Sequence, residues 1–246
     1  MGYHESLTEG RNAVLEAFRS GKTVDRLFVL DGCQDGPVKT ILREAKKQDT
    51  MVQYVKKERL DQLSETKNHQ GVIAYCAACE YAEVSDILEN AKKKGEAPFI
   101  VLLDGIEDPH NLGAIIRTAN QAGAHGVIIP KRRAVGFTAT VARTSAGAVN
   151  YTPVAKVTNL VTVMEDLKKE GMWFVCADMD GEEMYSLNLK GPIGLVIGNE
   201  GEGVSRLVKE HCDMVASIPM KGDIDSLNAS VAMGVLAYEI VRQRRF

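Results

Sequence analysis

Residues 99–129, FIVLLDGIEDPHNLGAIIRTANQAGAHGVII, decide the fold of this chain. The stretch opens on the apolar run FIVLL (99–103), continues through a helical pattern near 111–123 and ends on a second apolar run, GVII (126–129). Apolar runs that alternate with helices predict a parallel β-sheet covered on both faces, hence an α/β fold. The alternation continues downstream, with strands predicted at 172–177, 193–197 and 214–218 and helices near 138–146, 158–170, 204–211 and from 226 onward.

The first 76 residues show the same alternation on a smaller scale. Residues 11–19 (RNAVLEAFR) place Val14, Leu15 and Phe18 on one helical face. Further strands are predicted at 26–30, 52–55 and 71–77, and further helices near 37–48 and 57–64. We therefore predict a small N-terminal α/β domain at 1–76, a connecting helix at 77–96 and a larger domain at 97–246.

The composition is that of an ordinary globular protein, with 45 % hydrophobic and 26 % charged residues among 246. No apolar run reaches the roughly 18 residues that a membrane-spanning helix needs. The N-terminus, MGYHESLTEG, lacks the basic-then-apolar order of a secretory signal, so we expect a cytoplasmic protein. The formal net charge of −3 does not indicate nucleic-acid binding, although basic clusters such as Lys131-Arg132-Arg133 permit it.

Polar side chains follow the strand at 99–103, at the sheet edge where ligands bind in such folds. Either Asp108 or Asn111 is expected to cap the next helix. Arg117 follows Asn111 by six residues, so the two side chains lie roughly 120° apart around the helix. Two plainer interpretations stay open, with Asn111 as a simple N-cap and Arg117 as an arginine that reaches from an apolar stripe to solvent.

A glycine-rich loop, GNEGEG (198–203), follows the strand at 193–197. Its spacing, G-x-x-G-x-G, matches neither the dinucleotide fingerprint nor the phosphate-binding P-loop. Glu200 and Glu202 would repel phosphate groups at a helix N-terminus, which disfavours ATP and NAD as ligands. A cationic cofactor, such as a sulfonium, fits this loop better. The alternative is a tight turn that binds no ligand.

The segment PMKGDIDSLNAS (219–230) follows the last predicted strand. Ser226 is expected to cap the final helix, which would place Asn228 and Ser230 in its first turn. The helix beyond, at 231–241, is apolar almost all round. Such a helix is buried on more than one side, either in a core or against a second subunit.

Taken in order, these loops resemble the motifs of the SpoU (TrmH-like) family of SPOUT methyltransferases. The motifs are NLGAIIRTA (111–119), LVIGNEGEG (195–203) and IPMKGDIDSLNASVA (218–232). The resemblance implies that the domain at 97–246 contains a trefoil knot and transfers a methyl group from S-adenosylmethionine to a ribose 2′-hydroxyl of RNA. It also implies a homodimer, in agreement with the apolar final helix.

The resemblance also assigns the site residues. It implies that cofactor contacts fall at Gly198, Ile218, Met220 and Leu227. The functional polar residues it implies are Asn111, Arg117, Glu200, Ser226 and Asn228.

From these assignments we expect Arg117 to contact the 2′-hydroxyl or a neighbouring phosphate. An arginine stays protonated in proteins, which favours an orienting role over that of a base. Glu200 is expected to hold the guanidinium of Arg117. Asn111, Ser226 and Asn228 are expected to fix the ribose, the phosphate and the loop. We expect no metal ion to be required.

The N-terminal residues, including Gly10-Arg11-Asn12 and His69-Gln70-Gly71-Val72, resemble the small ribosomal-protein-like substrate domain of this family. Members with this extension are similar to the enzymes that methylate guanosine in large-subunit ribosomal RNA. Alternatives are a transfer-RNA methyltransferase, a resistance-type enzyme that acts on a ribosomal adenosine, and a non-catalytic RNA-binding protein. A dinucleotide oxidoreductase is more remote, because G-x-G-x-x-G is missing.

Overall fold

The computed structural model describes residues 6–33, 35–77, 79–224 and 226–246. Its contacts divide the chain into two compact units. The first comprises the residues up to Glu80 together with Gly136–Ala139, and the second comprises Tyr81–Val135 and Thr140–Phe246. In the described part of the chain, no helix is long and apolar enough to cross a membrane.

The first unit contains a four-stranded mixed sheet with the strand order β1-β4-β2-β3. Strands β2 and β3 are parallel, whereas β1 and β2 each pair antiparallel with β4. Helices α1 and α2 pack on one face of the sheet and α3 on the other, where Leu60 contacts Phe28 and Ile73. The elements are β1 (Ser6–Glu9), α1 (Arg11–Arg19), β2 (Val24–Leu30), α2 (Gly36–Lys47), β3 (Met51–Val55), α3 (Lys57–Leu63) and β4 (Val72–Cys76).

The second unit contains a six-stranded sheet with the order β10-β8-β9-β5-β6-β7. Every strand pair in it is parallel, which confirms the predicted α/β class. Its strands are β5 (Phe99–Asp104), β6 (Gly126–Pro130), β7 (Val154–Val157), β8 (Trp173–Glu183), β9 (Ile193–Gly198) and β10 (Met214–Ser217). Its helices are α4 (Val84–Lys94), α5 (Pro109–Gln121), α6 (Ala139–Thr144), α7 (Leu160–Lys169), α8 (Arg206–Glu210) and α9 (Ala229–Arg245), with a 3-10 turn at Ala148–Asn150.

Helix α4, predicted as a connector, is part of the core of the second unit. Ile87 is completely buried and packs on the strand β6. A Cβ atom added to Gly126 would lie 2.5 Å from Cγ1 of Ile87, so the helix approaches the strand this closely only because residue 126 is glycine. The functional domain boundaries at 76 and 97 stay a prediction, as does the trefoil knot.

The sheet places the carboxyl ends of its two central strands side by side. Asp104, the last residue of β5, is the register partner of Gly198, the last residue of β9. Because parallel strands end at the same sheet edge, the loops that follow β5 and β9 leave from neighbouring points. Helix α9 begins near the same loops and packs against α5 and β9.

Candidate active site

Three polar side chains from three different loops meet beyond the central strands. The amide nitrogen of Asn111, Nδ2, donates to Oε1 of Glu200 at 2.9 Å. The Nδ2 of Asn228 donates to Oδ1 of Asn111 at 3.0 Å and also to Oε1 of Glu200. The backbone N–H of Ala229 approaches the same carboxylate oxygen at 3.4 Å. We call Asn111, Glu200 and Asn228 the polar triad.

The polar triad unites three of the five polar residues that the family resemblance implied. Asn111 is buried, with 7 % of its surface exposed, whereas Glu200 and Asn228 are exposed. Amide N–H groups of Asn111, Asn228 and Ala229 satisfy one oxygen of the Glu200 carboxylate. The triad therefore joins the starts of α5 and α9 to the loop after β9.

Arg117 does not join the polar triad. It is exposed, and within the described ranges the structure gives it no hydrogen bond or ion pair. Glu200 and Arg117 form no ion pair within the described part of this chain, and the pairing stays a prediction. Arg117 lies about 9 Å further along α5 than Asn111, because a helix rises roughly 1.5 Å per residue. Its functional role stays a prediction.

Ser226, the predicted N-cap of the last helix, does not cap it. Asn228 caps α9, because its Oδ1 accepts from the backbone N–H groups of Ser230 at 3.0 Å and Val231 at 3.3 Å. Ser226 is exposed and lies two residues before this cap. One asparagine thus uses its oxygen to begin the helix and its nitrogen to complete the polar triad.

At the first loop, the structure selects Asp108 over Asn111 as the helix cap. The Asp108 side chain accepts from the backbone N–H of His110 at 2.9 Å, and Pro109 occupies the first helical position. Proline suits this position because its missing N–H would have no helical partner there. Asn111 is thereby left free to face Glu200.

The glycine-rich loop is closed at its base by two backbone hydrogen bonds. Asn199 N–H donates to the Gly203 carbonyl at 3.0 Å, and Gly203 N–H donates back at 2.9 Å. Gly203 has a φ of 68°, which favours glycine. A Cβ on Gly198 would lie 2.1 Å from the Gly203 carbonyl carbon, so the two backbone segments pass closer than any side chain allows.

Two residues that support this loop were not predicted. The Nδ2 of Asn199 donates to the Gly105 carbonyl at 2.9 Å, and Asp104 accepts from Ser205 N–H at 2.8 Å. Asn199 was visible in the sequence as part of GNEGEG, but only the register of β5 against β9 brings it to Gly105. A sequence pattern carries no such information about neighbouring strands.

The residues implied for cofactor binding differ in exposure, and their contact with S-adenosylmethionine stays a prediction. Gly198 is buried, Ile218 is half-buried, and Met220 and Leu227 are 39 % and 36 % exposed. Exposed apolar side chains can cover an adenine ring, and an exposed glycine-rich backbone can approach a ligand closely. The loop at 198–205 contains two glutamates and no basic side chain, which suits a cation better than a phosphate. Across the described ranges, no group of three or more His, Cys, Asp or Glu side chains is arranged to hold a metal ion.

Comparisons with known proteins show the family to which this chain belongs. Residues 98–238 match the SpoU rRNA Methylase family, and residues 7–82 match the RNA 2′-O ribose methyltransferase substrate-binding family. YacO of Bacillus subtilis, named for the TrmH family of tRNA/rRNA methyltransferases, is 48 % identical over 237 residues, covering 96 % of this chain and 94 % of its own length.

Solved structures extend the comparison to the fold. The SpoU methyltransferase AviRb of Streptomyces viridochromogenes, crystallised with AdoMet, has a TM-score of 0.62 at 27 % identity and covers 98 % of this chain and 91 % of its own. An AdoMet-bound rRNA methyltransferase of Sinorhizobium meliloti has a TM-score of 0.60 at 26 % identity, covering 96 % and 86 %. The TrmH/SpoU tRNA modifying enzyme of A. aeolicus has a TM-score of 0.56 at 28 % identity, and covers 65 % of this chain and 84 % of its own.

A parallel-sheet unit that matches the SpoU methylase family, preceded by residues that match a family of RNA substrate-binding domains, defines a methyltransferase that acts on RNA. The chain belongs to the SpoU (TrmH) family of SPOUT methyltransferases. It is an RNA 2′-O-ribose methyltransferase, and its cofactor is S-adenosylmethionine.

Proposed function

We propose that this enzyme methylates the ribose 2′-hydroxyl of a guanosine in large-subunit (23S) ribosomal RNA. The observation that carries the proposal is the N-terminal substrate-binding unit. The rRNA methyltransferase of S. meliloti covers 96 % of this chain, whereas the tRNA modifying enzyme of A. aeolicus covers 65 %. We propose that residues 1–76 bind the RNA and that residues 97–246 catalyse the transfer.

The chemistry requires a cofactor and a hydroxyl held in line. When bound, S-adenosylmethionine supplies an electrophilic methyl group on a positively charged sulfur. Gly198, Ile218, Met220 and Leu227 would hold it, through the backbone of the glycine-rich loop and the apolar side chains of the loop before α9. Alignment of two reactants is worth roughly 7–11 kcal/mol. A general base accelerates the reaction only about 10²–10⁴-fold, which corresponds to about 3–5 kcal/mol. Positioning of the reactants is therefore the larger effect.

Arg117 is proposed to orient the 2′-hydroxyl or the adjacent phosphate. It is exposed, and an arginine side chain offers hydrogen-bond donors and no acceptor, so it suits contact with RNA as a donor and not as a base. Ser226, also exposed, is proposed to contact the ribose or the phosphate. Asn111, Glu200 and Asn228 hold the two helix starts and the glycine-rich loop in one arrangement.

Methyl transfer to separated RNAs tests the proposed substrate. With methyl-labelled S-adenosylmethionine, we expect label in 23S ribosomal RNA lacking the modification and background label in transfer RNA. Nuclease mapping is expected to place the methyl group on the ribose of a guanosine. Label in transfer RNA, or on a ribosomal adenosine, would contradict the proposal and select one of the alternative substrates. Cofactor binding without transfer to either RNA would also contradict it.

We also propose that the enzyme is a homodimer. Helix α9 buries Met233, Leu236 and Ile240 on one face, whereas Val231 and Tyr238 are 50 % and 51 % exposed. Val231 and Tyr238 are seven residues apart and so lie on one helical face. Exposed apolar groups aligned in this way favour a protein partner. Light scattering at micromolar concentration should give twice the monomer mass, and a monomer there would contradict the proposal.

A further inference from the structure

Asn199 connects the glycine-rich loop to the neighbouring strand end. Its Oδ1 accepts from Gly201 N–H at 2.8 Å, inside the loop. Its Nδ2 donates to the Gly105 carbonyl at 2.9 Å, just beyond β5. Both backbone groups of Asn199 are also bonded to Gly203. The side chain therefore performs two separable tasks, one within the loop and one between loops.

The bond to Gly105 is one of two hydrogen bonds that tie the loop to the end of β5, and the other runs from Ser205 N–H at the far side of the loop to Asp104. The two backbone bonds to Gly203 close the loop on itself, but they do not fix its orientation relative to β5. Gly105 has a φ of 82°, and its ideal Cβ position lies 3.4 Å from Cβ of Asn199, so the two residues are in close contact. The Asn199 amide ties the loop to the strand end at this contact.

Glu200, the next residue, makes the second connection. Its carboxylate accepts from Asn111 on α5 and from Asn228 at the start of α9. Two consecutive residues thus bind the glycine-rich loop to three other segments, with Asn199 at its base and Glu200 at its tip. A shift at the base would move the carboxylate, because only one peptide unit separates the two side chains.

We propose that Asn199 is a positioning residue for the methyl-transfer reaction. By holding the loop against Gly105, it fixes the position of the backbone at Gly198, which would contact the cofactor. It also fixes the position of the Glu200 carboxylate. The inference rests on the cofactor site assigned to this loop under the proposed function, and it is independent of which RNA is the substrate. Asn199 touches neither reacting group and acts through its neighbours.

Two substitutions separate the two tasks of the side chain. Asn199→Asp keeps the oxygen that accepts from Gly201 but replaces the donor to Gly105 with an oxygen that repels the carbonyl. Asn199→Ala removes both contacts. Asn188→Ala is the matched control, since Asn188 accepts from Lys190 N–H at 3.3 Å in the same kind of turn, outside the polar triad. Binding of S-adenosylhomocysteine is measured by calorimetry, together with the melting temperature of each variant.

We expect Asn199→Asp to bind S-adenosylhomocysteine about tenfold more weakly, as the loss of one well-formed hydrogen bond predicts. Asn199→Ala, which loses both contacts, should bind at least as weakly. The Michaelis constant for S-adenosylmethionine should rise by a similar factor, with RNA affinity unchanged. Asn188→Ala should bind like the unmodified enzyme and melt at a similar temperature to Asn199→Ala. Unchanged binding in Asn199→Asp would overturn the proposal, as would a lowered melting temperature with normal affinity, which would indicate a structural role alone. No RNA is used in the binding experiment, so a wrong RNA assignment would leave its result unaffected.

Discussion

Replacement of Gly198 with alanine is expected to abolish binding of the cofactor. The added Cβ would lie 2.1 Å from the carbonyl carbon of Gly203 and 2.2 Å from the nitrogen of Val204. Both are backbone atoms, which cannot rotate away as the end of a side chain can. The glycine-rich loop must therefore move as a whole, and the backbone that would contact the cofactor moves with it.

Calorimetric titration with S-adenosylhomocysteine measures this effect directly, with two alanine variants as controls. The nearest atom to a Cβ on Gly201 is Oδ1 of Asn199 at 3.6 Å, so Gly201→Ala tests whether the loop tolerates a methyl group. A Cβ on Gly191 meets no atom within 4 Å, and Gly191→Ala should bind like the unmodified enzyme. Binding by Gly198→Ala within twofold of the unmodified enzyme would show that the loop adapts and would refute the prediction.

The second large effect is expected at Glu200, whose carboxylate unites the polar triad. Glu200→Ala removes the acceptor shared by Asn111, Asn228 and Ala229, and should lower kcat/KM about 100-fold. Every one of these donors reaches Oε1, and glutamine retains one such oxygen. Glu200→Gln should therefore recover much of the loss if the hydrogen bonds matter more than the charge.

Double-mutant cycles distinguish the observed contacts of Glu200 from the ion pair that the sequence favoured. Glu200→Ala and Asn228→Ala should be strongly non-additive in log kcat/KM, because the two residues share a hydrogen bond. Glu200→Ala and Arg117→Ala should be close to additive, because these side chains do not touch in the structure. Coupling to Arg117 but not to Asn228 would contradict the polar triad as the functional unit. Near-normal turnover of Arg117→Ala with bound RNA would remove that arginine from the mechanism.

The parallel sheet could be predicted from the sequence because its strands are buried and apolar. The proximity of the loops after β5 and β9 could be predicted as well, because it follows from the parallel order of those strands. Strands such as FIVLL at 99–103 are apolar throughout, and parallel strands must end at one edge. Strand β7 (Val154–Val157) was not predicted, because it has four residues and includes a lysine. Strand β8 extends to Glu183, six residues beyond its predicted end, through polar residues that no apolar pattern marks.

The pairing of polar side chains could not be predicted in the same way. Charge suggested that Glu200 would bind Arg117, but the rotation and rise of α5 turn Asn111 toward the carboxylate instead. Ser226 and Asn228 are both good helix caps, and the sequence offers no reason to choose between them. The choice depends on where the last helix docks against α5, which is a property of the whole unit.

Asn228 both caps α9 and belongs to the polar triad, so formation of this helix and assembly of the site are linked. The residue that starts the final helix also completes the polar triad, so the site cannot close before the last seventeen-residue helix has docked. Before α9 docks, the Glu200 carboxylate has Asn111 as a donor but lacks Asn228 and the backbone N–H of Ala229. Docking of α9 against α5 is therefore the step that completes the site, and a substitution that loosens this helix acts on catalysis without touching a reacting group.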